Sequence, residues 1–374
     1  MCVVGARPNL MKIAPIMRAL RAAVPPMPAR LVHTGQHYDA ELSDQFFRAL
    51  GIPAPDVNLE VGSASHAVQT AEIMRRFEPV LERERPSAVL VVGDVNSSLA
   101  CALVAAKKET PVVHVEAGLR SFDRGMPEEI NRVLTDQISD LLFTTERSAR
   151  DNLLREGIDE SRIRFVGNVM IDTLRQNLQS AVPAGRTLAR YGAPSAWASG
   201  GYAVLTLHRP SNVDDPTTLR SMLGAMREVA ARLPVLFPMH PRTRASIEQH
   251  GAGALLESPT LRMLPPLGYL EMLGLMQSAR LVLTDSGGIQ EETTALGVPC
   301  VTLRENTERP ITVEQGTNTV VGRNPLHILG AVDDILRTGG KAGRIPELWD
   351  GRAAQRIAAA LHEWLERAAH RLVA

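Results

Sequence analysis

LVLTDSGGIQEE, residues 281–292, shows in one stretch how this chain is built. Leu281–Thr284 is an unbroken apolar run, the pattern of a strand covered on both faces. It ends in Asp285-Ser286, passes through Gly287-Gly288 and enters a helical pattern over Ile289–Leu296. A strand turning through glycine into a helix is half of a βαβ unit, so a parallel sheet is expected. Ser286 is placed to cap the helix. Gly287 and Gly288 let a ligand approach bare N–H groups, and the positive end of a helix favours phosphate. Glu291 or Glu292, one turn in, could accept hydrogen bonds from a ribose diol. The same residues also suit an ordinary capped helix with a glycine turn.

The unit recurs in both directions along the chain. Strands are predicted at Val3–Val4, Arg30–His33, Ala88–Val92, Pro111–Val115 and Leu141–Thr144. Helices are predicted between them at Leu10–Ala23, Asp39–Leu50, His66–Arg83, Ser97–Lys108 and Glu129–Ser139. A second series follows, with strands at Tyr202–Thr206, Val235–Met239, Leu261–Leu264, Leu281–Thr284 and Cys300–Leu303. Its helices are expected near Thr217–Arg232, Tyr269–Ser278 and Ile289–Leu296. The Gly-, Pro-, Ala- and Ser-rich segment 179–201 lies between the series and looks like a mobile stretch near a boundary. An amphipathic helix is predicted over Ala353–Ala369. The expected fold class is α/β, with two Rossmann-like doubly wound domains facing a cleft. They span 1–168 and 169–352, and 353–374 packs back on the first. Ligands of such sheets bind at the carboxyl ends of the strands.

Bulk composition narrows the function. A chain of 374 residues exceeds one ordinary core. Lys+Arg and Asp+Glu are both 41, so no basic excess points to nucleic acid or an anionic membrane. No apolar run is long enough to span a bilayer, and no signal peptide is visible. The three cysteines, Cys2, Cys101 and Cys300, have no metal-binding spacing and suit a reducing, cytoplasmic setting. Neither GxGxxG nor GxxxxGK[ST] occurs, so neither a dinucleotide nor a P-loop nucleotide site is indicated.

Charged residues collect just past the strands. GARPNLMK (5–12) brings Arg7 and Lys12, cations able to neutralise phosphate. HTGQHYD (33–39) brings Gln36 and His37, and VVGDVNSS (91–98) brings Asp94. HVEAGLRSFDRGMPEEINR (114–132) carries Glu116, Arg120, Glu128, Glu129 and Arg132. LTLHRPSNV (205–213) places His208 and Arg209, PMHPRTR (238–244) places His240, Arg242 and Arg244, and RENTERP (304–310) adds Arg304, Glu308 and Arg309. Singly, each is equally a cap or a solvated surface charge. Together they join phosphate-binding cations to carboxylates, which suggests acid/base chemistry on a nucleotide-linked substrate.

In this order and spacing, from about Val3 to Gly322, the motifs resemble the non-hydrolysing UDP-N-acetylglucosamine 2-epimerases. The resemblance implies a glycosyltransferase-B type fold, a homodimer, and interconversion of UDP-N-acetylglucosamine and UDP-N-acetylmannosamine with no metal or nicotinamide cofactor. It implies acid/base or catalytic-site roles for Asp94, Glu116, Glu128 and His208. It implies UDP contacts at Arg7, Lys12, His208, Ser286, Gly287, Glu292 and Arg309, to which Gly288 and His240 are added by position. Gln36 and His37 match residues near a regulatory UDP-sugar pocket of the bacterial enzymes. Arg120 and Arg132 are expected to hold Glu116, Glu128 and Asp94 ionised or in place. The sequence departs from the bacterial pattern at Tyr38-Asp39 and Pro210. Asn9 stands where many bacterial members carry Glu, a variant that also occurs in relatives acting on modified UDP-sugars.

Overall fold

The structure is a computed structural model that describes residues 1–36 and 51–373. The helix expected at Asp39–Leu50 falls outside the described residues. The chain forms two compact units, Met1–Gln176 with Glu347–Ala374, and Asn177–Pro346. The sequence expectation drew the limits at 168/169 and 352/353.

The first unit holds a seven-stranded sheet in the order β3-β2-β1-β4-β5-β6-β7. Its strands are β1 Cys2–Val4, β2 Leu31–His33, β3 Val57–Asn58, β4 Val89–Val92, β5 Val112–Ala117, β6 Leu141–Thr144 and β7 Ile163–Phe165. The second unit holds a six-stranded sheet, β10-β9-β8-β11-β12-β13. These are β8 Ala203–Thr206, β9 Val235–Pro238, β10 Leu261–Leu264, β11 Leu281–Thr284, β12 Cys300–Thr302 and β13 Asn318–Val320. Every strand pairing in both sheets is parallel. This is the α/β, doubly wound architecture of the glycosyltransferase-B type. Strand order reverses between β1 and β4 and between β8 and β11, and such switch points are where open α/β sheets take ligands.

The apolar runs form strands because each successive residue finds a different covered face. In the second sheet Ala203 and Leu205, with Leu281 and Leu283, enter one core cluster. Val204 and Val282, between them in sequence, enter the other. Burying a Val or Leu side chain contributes about 1.5–3 kcal/mol, so a one-residue slip would be strongly opposed. Cys2, Cys101 and Cys300 are buried free thiols.

Three strands went unpredicted: β3, β7 and β13, of two or three residues each, none with more than one buried residue. The segment 179–201 is not an open linker. It contains helices Ala184–Arg190 and Ala196–Gly200, and Val182 N–H donates to Leu270 O at 3.0 Å. Ala184, Leu188 and Ala193 are buried against Tyr202 and Val204. Helix Ala353–Val373 belongs to the first unit and packs on helix Arg7–Ala22. The Asp172 carboxylate accepts from Ala353 N–H and Ala354 N–H at 3.1 and 2.7 Å, fixing the start of that helix. Among the described residues no helix is long and apolar enough to cross a membrane.

Candidate functional site

The carboxyl edge of the first sheet gathers acids around β4 and β5. The β5–β6 register shifts between Val115 and Ala117, and Glu116 lies in that irregularity with φ 73°. A bulge re-aims a side chain, and a left-handed non-glycine residue costs on the order of 1–3 kcal/mol. The Glu116 carboxylate is buried and ion-paired to the Lys12 ammonium, which is also buried. Lys12, expected on phosphate, therefore meets a carboxylate. The adjoining turn is crowded. A Cβ on Gly93, itself at φ 66°, would lie 2.8 Å from Lys12 Nζ and 3.1 Å from Glu116 Oε2. Only glycine fits there without displacing the pair.

Asp94 follows that glycine. Val95, not Asp94, is the N-cap of helix Asn96–Lys107. The Asp94 side chain remains 27 % exposed and takes Arg132 Nη2 at 2.5 Å. Asn131 Nδ2 donates to the Asp94 carbonyl at 2.9 Å. Arg132 also reaches Glu129 at 2.6 Å, so this arginine positions a carboxylate as expected. Arg120 does not. It is ion-paired to Asp136 at 2.7 Å and to Glu156 at 2.6 Å. Asp136 in turn faces His114 Nδ1 at 2.6 Å and accepts from Gly118 N–H at 3.0 Å. Burial opposes its charge, but His114 and Arg120 outweigh burial and hold Asp136 below the ordinary carboxylate value. Arg120 thus braces the turn after Glu116 rather than Glu116 or Glu128.

The two neighbouring glutamates also separate. Glu129 is buried and accepts from Ser121 N–H, Ser121 Oγ and Phe122 N–H at 3.0, 2.9 and 2.8 Å. Glu128, in the first turn of helix Pro127–Ile138, is half-buried. Gln36 is internal. Its Oε1 accepts from Ser97 N–H at 3.2 Å and Ser97 Oγ at 2.7 Å, and so ties β2 to a helix start. Asn9 is similarly engaged: Oδ1 accepts from Gly5 and Ala6 N–H at 3.2 and 3.0 Å, and Nδ2 donates to Val92 O at 2.9 Å. Arg7 opens its helix. His37 falls outside the described residues.

The corresponding edge of the second sheet is built differently. Helix Gly287–Leu296 has Ser286 at its N-cap position, but the Ser286 hydroxyl makes no capping bond. The first-turn N–H groups are left to another acceptor. A Cβ on Gly287 would lie 2.7 Å from Glu308 Oε1, so glycine is required where Glu308 and Arg309 close in. Arg309 pairs with Glu308 and, at 2.9 Å, with Glu291. Arg304 pairs with Glu308 at 2.8 Å. Glu292 is fully enclosed beside Tyr269, with Oε1 lacking a hydrogen-bond partner. Burial, reinforced by Glu291 and opposed by Tyr269, pushes the Glu292 carboxyl up to about 7. The Tyr269 hydroxyl is raised by burial and by Glu292.

His208 sits at the carboxyl end of β8 with Nδ1 2.8 Å from Asp285 Oδ1. Asp285, to which the sequence assigned no role, is fully buried. His240 lies beside it, ring centroids 5.6 Å apart, and accepts from Arg242 N–H at 3.2 Å as a helix cap. Arg242 is an exposed partner of Asp214 at 2.5 Å.

Comparison with known proteins gives the family of the chain. The family model described as UDP-N-acetylglucosamine 2-epimerase matches residues 20–362. A UDP-N-acetylglucosamine 2-epimerase of Methanocaldococcus jannaschii is 44 % identical over 89 % of this chain and 91 % of its own length. A UDP-2,3-diacetamido-2,3-dideoxy-D-glucuronate 2-epimerase of Pseudomonas aeruginosa is also 44 % identical, over 86 % of this chain and 87 % of its own. The crystal structure of the M. jannaschii enzyme with UDP-GlcNAc and UDP matches with a TM-score of 0.87 at 41 % identity, over 97 % of this chain and 99 % of that one. By sequence and by fold, this chain belongs to the UDP-N-acetylglucosamine 2-epimerase family.

Proposed function

We propose that the chain interconverts UDP-N-acetylglucosamine and UDP-N-acetylmannosamine by eliminating UDP to a glycal and adding it back. The hydrogen on C2 is not next to a carbonyl, so no side chain removes it directly at neutral pH. Breaking the C1–oxygen bond first, or nearly first, builds oxocarbenium character that acidifies C2. The bond's electron pair leaves with the diphosphate, which must be stabilised. A lost donor of that kind typically costs about 3 kcal/mol of barrier. Inversion at C2 asks for proton transfer at both faces of the sugar, and Asp94, Glu116 and Glu128 are the acids assigned to it. The observation that carries this reading is Glu116, held buried on a left-handed bulge against Lys12. Strain of that kind persists where a side chain must be aimed.

The nucleotide is assigned to the second unit. His208, Arg309 and the start of helix Gly287–Leu296 take the diphosphate, and Glu292 takes the ribose diol. The unfilled Glu292 oxygen supports that assignment, because a buried acceptor is costly until a ligand supplies a donor. The assembly is assigned as a homodimer acting in the cytoplasm on precursors of polysaccharide or glycoconjugate, and light scattering checks the dimer.

Proton NMR of UDP-N-acetylglucosamine with the enzyme in deuterated water tests the reaction. Exchange at C2 together with the epimer is expected, also in chelator without added nicotinamide. No exchange overturns the proposal. A second reading, epimerisation of a diacetamido-uronic acid UDP-sugar, is favoured by the equal identity to the P. aeruginosa enzyme. Offering both substrates decides between them by kcat/KM.

A further inference from the structure

Donors from several directions converge on one buried carboxylate at the carboxyl end of β11. Asp285 Oδ2 accepts from the N–H groups of His208 and Arg209 at 2.9 and 2.8 Å, and from Asn212 Nδ2 at 3.1 Å. Asn212 Nδ2 is shared with Leu303 O at 3.0 Å, which ties the arrangement to the residue after β12. Asp285 Oδ1 faces His208 Nδ1 at 2.8 Å. Burial alone would raise this carboxyl; the His208 ring and the backbone donors outweigh burial and hold it below its ordinary value. An ionised carboxylate only accepts, so the ring nitrogen against it carries hydrogen.

We propose that Asp285 is a positioning residue for the reaction. By accepting Nδ1–H it holds hydrogen on that nitrogen and fixes the orientation of His208, so that Nε2 is the nitrogen turned toward the departing diphosphate. When the C1–oxygen bond breaks, its electron pair stays on that oxygen. That oxygen can accept a hydrogen bond through Nε2 only from a ring carrying hydrogen on both nitrogens, and in that state the Asp285 carboxylate faces the imidazolium charge. No proton need be transferred. The neighbouring His240 is held the other way round: its Nδ1 accepts from Arg242 N–H, so its own hydrogen lies on Nε2. The arrangement is hard to see in sequence, because Asp285 and His208 are 77 residues apart.

This inference rests on the epimerase reading for its kinetic test but not for its spectroscopic one. Asp285→Asn keeps the size of the side chain, removes the charge that faces the ring and can turn an amide N–H toward Nδ1. The expected loss in kcat is on the order of 10²–10³-fold, with KM changed far less. In a His208→Gln background the same substitution is expected to add little, because the aspartate acts through the ring. Losses that multiply in the double variant would overturn the proposal. Nitrogen-15 spectra of the wild-type protein are expected to show hydrogen on His208 Nδ1 across neutral pH, and a bare Nδ1 there overturns it even if Asp285→Asn does not fold. A wild type with no C2 exchange but a protonated Nδ1 would sink the epimerase reading and leave the tautomer assignment standing.

Discussion

The two sheets reverse strand order in the same way yet differ in how far the acids at their rims are satisfied. At the rim of the first, acids are matched to cations before any ligand arrives: Glu116 to Lys12, and Asp94 and Glu129 to Arg132. At the rim of the second, Glu308 and Glu291 are also paired, to Arg304 and Arg309, but Glu292 is enclosed with an oxygen unfilled, and a helix start goes uncapped by its own serine. Pre-paired acids keep their geometry and can exchange protons without reorganising. An under-satisfied pocket is unstable until a ligand brings donors and negative charge. The contrast suits a division of labour between chemistry and nucleotide recognition.

Four substitutions test that contrast, in order of expected effect. Glu116→Gln should lower turnover by 10²–10⁴-fold or so, with UDP-sugar binding by calorimetry little changed. Near-normal turnover would remove Glu116 from the chemistry. Lys12→Met leaves the buried Glu116 carboxylate without its cation and should cost about 3–5 kcal/mol in urea unfolding. Adding Glu116→Gln to it should recover part of that loss, and no recovery would mean that the pair is not what holds the turn.

Glu292→Gln sharpens the contrast through pH. The folded carboxyl is raised to about 7, so the stability it contributes is complete below the ordinary carboxylate value and is lost as pH rises through 7. The variant should therefore melt a few degrees above wild type at pH 8 and close to it at pH 4. Wild-type affinity for UDP-sugar should rise with pH through 7, where the ionised form receives the ribose, and the variant should lose that rise. A variant less stable than wild type at pH 8 would contradict the enclosed, unfilled oxygen. Arg242→Ala, at an exposed ion pair with Asp214, should change stability by less than about 1 kcal/mol and leave turnover unaffected.

Sequence revealed most of what depends on local pattern. The apolar runs of β4, β6 and β11 are visible because their burial is continuous, and the glycine turn before helix Gly287–Leu296 is visible beside the last of them. Strand β13 escaped because Asn318 opens it and its ladder is set by β12. Helix Ala184–Arg190 escaped because an Ala-, Gly- and Pro-rich composition looks like a linker until Leu188 is seen against Tyr202. Motif spacing brought out the acids but could not say which of Glu128 and Glu129 would be consumed by the Ser121–Phe122 turn. Arg120 was misassigned for the same reason, since Glu156 and Asp136 become its neighbours only in the fold.

The helix that starts on Asp172 has a consequence for biosynthesis. Residues 347–373 complete the first unit, yet they are translated only after all of the second. The second unit can thus mature on the ribosome while the first waits for its closing segment with part of helix Arg7–Ala22 uncovered. A chain released after residue 346 should show a protease-resistant second unit and a cleavable first one, an asymmetry that chaperones would meet at every round of synthesis.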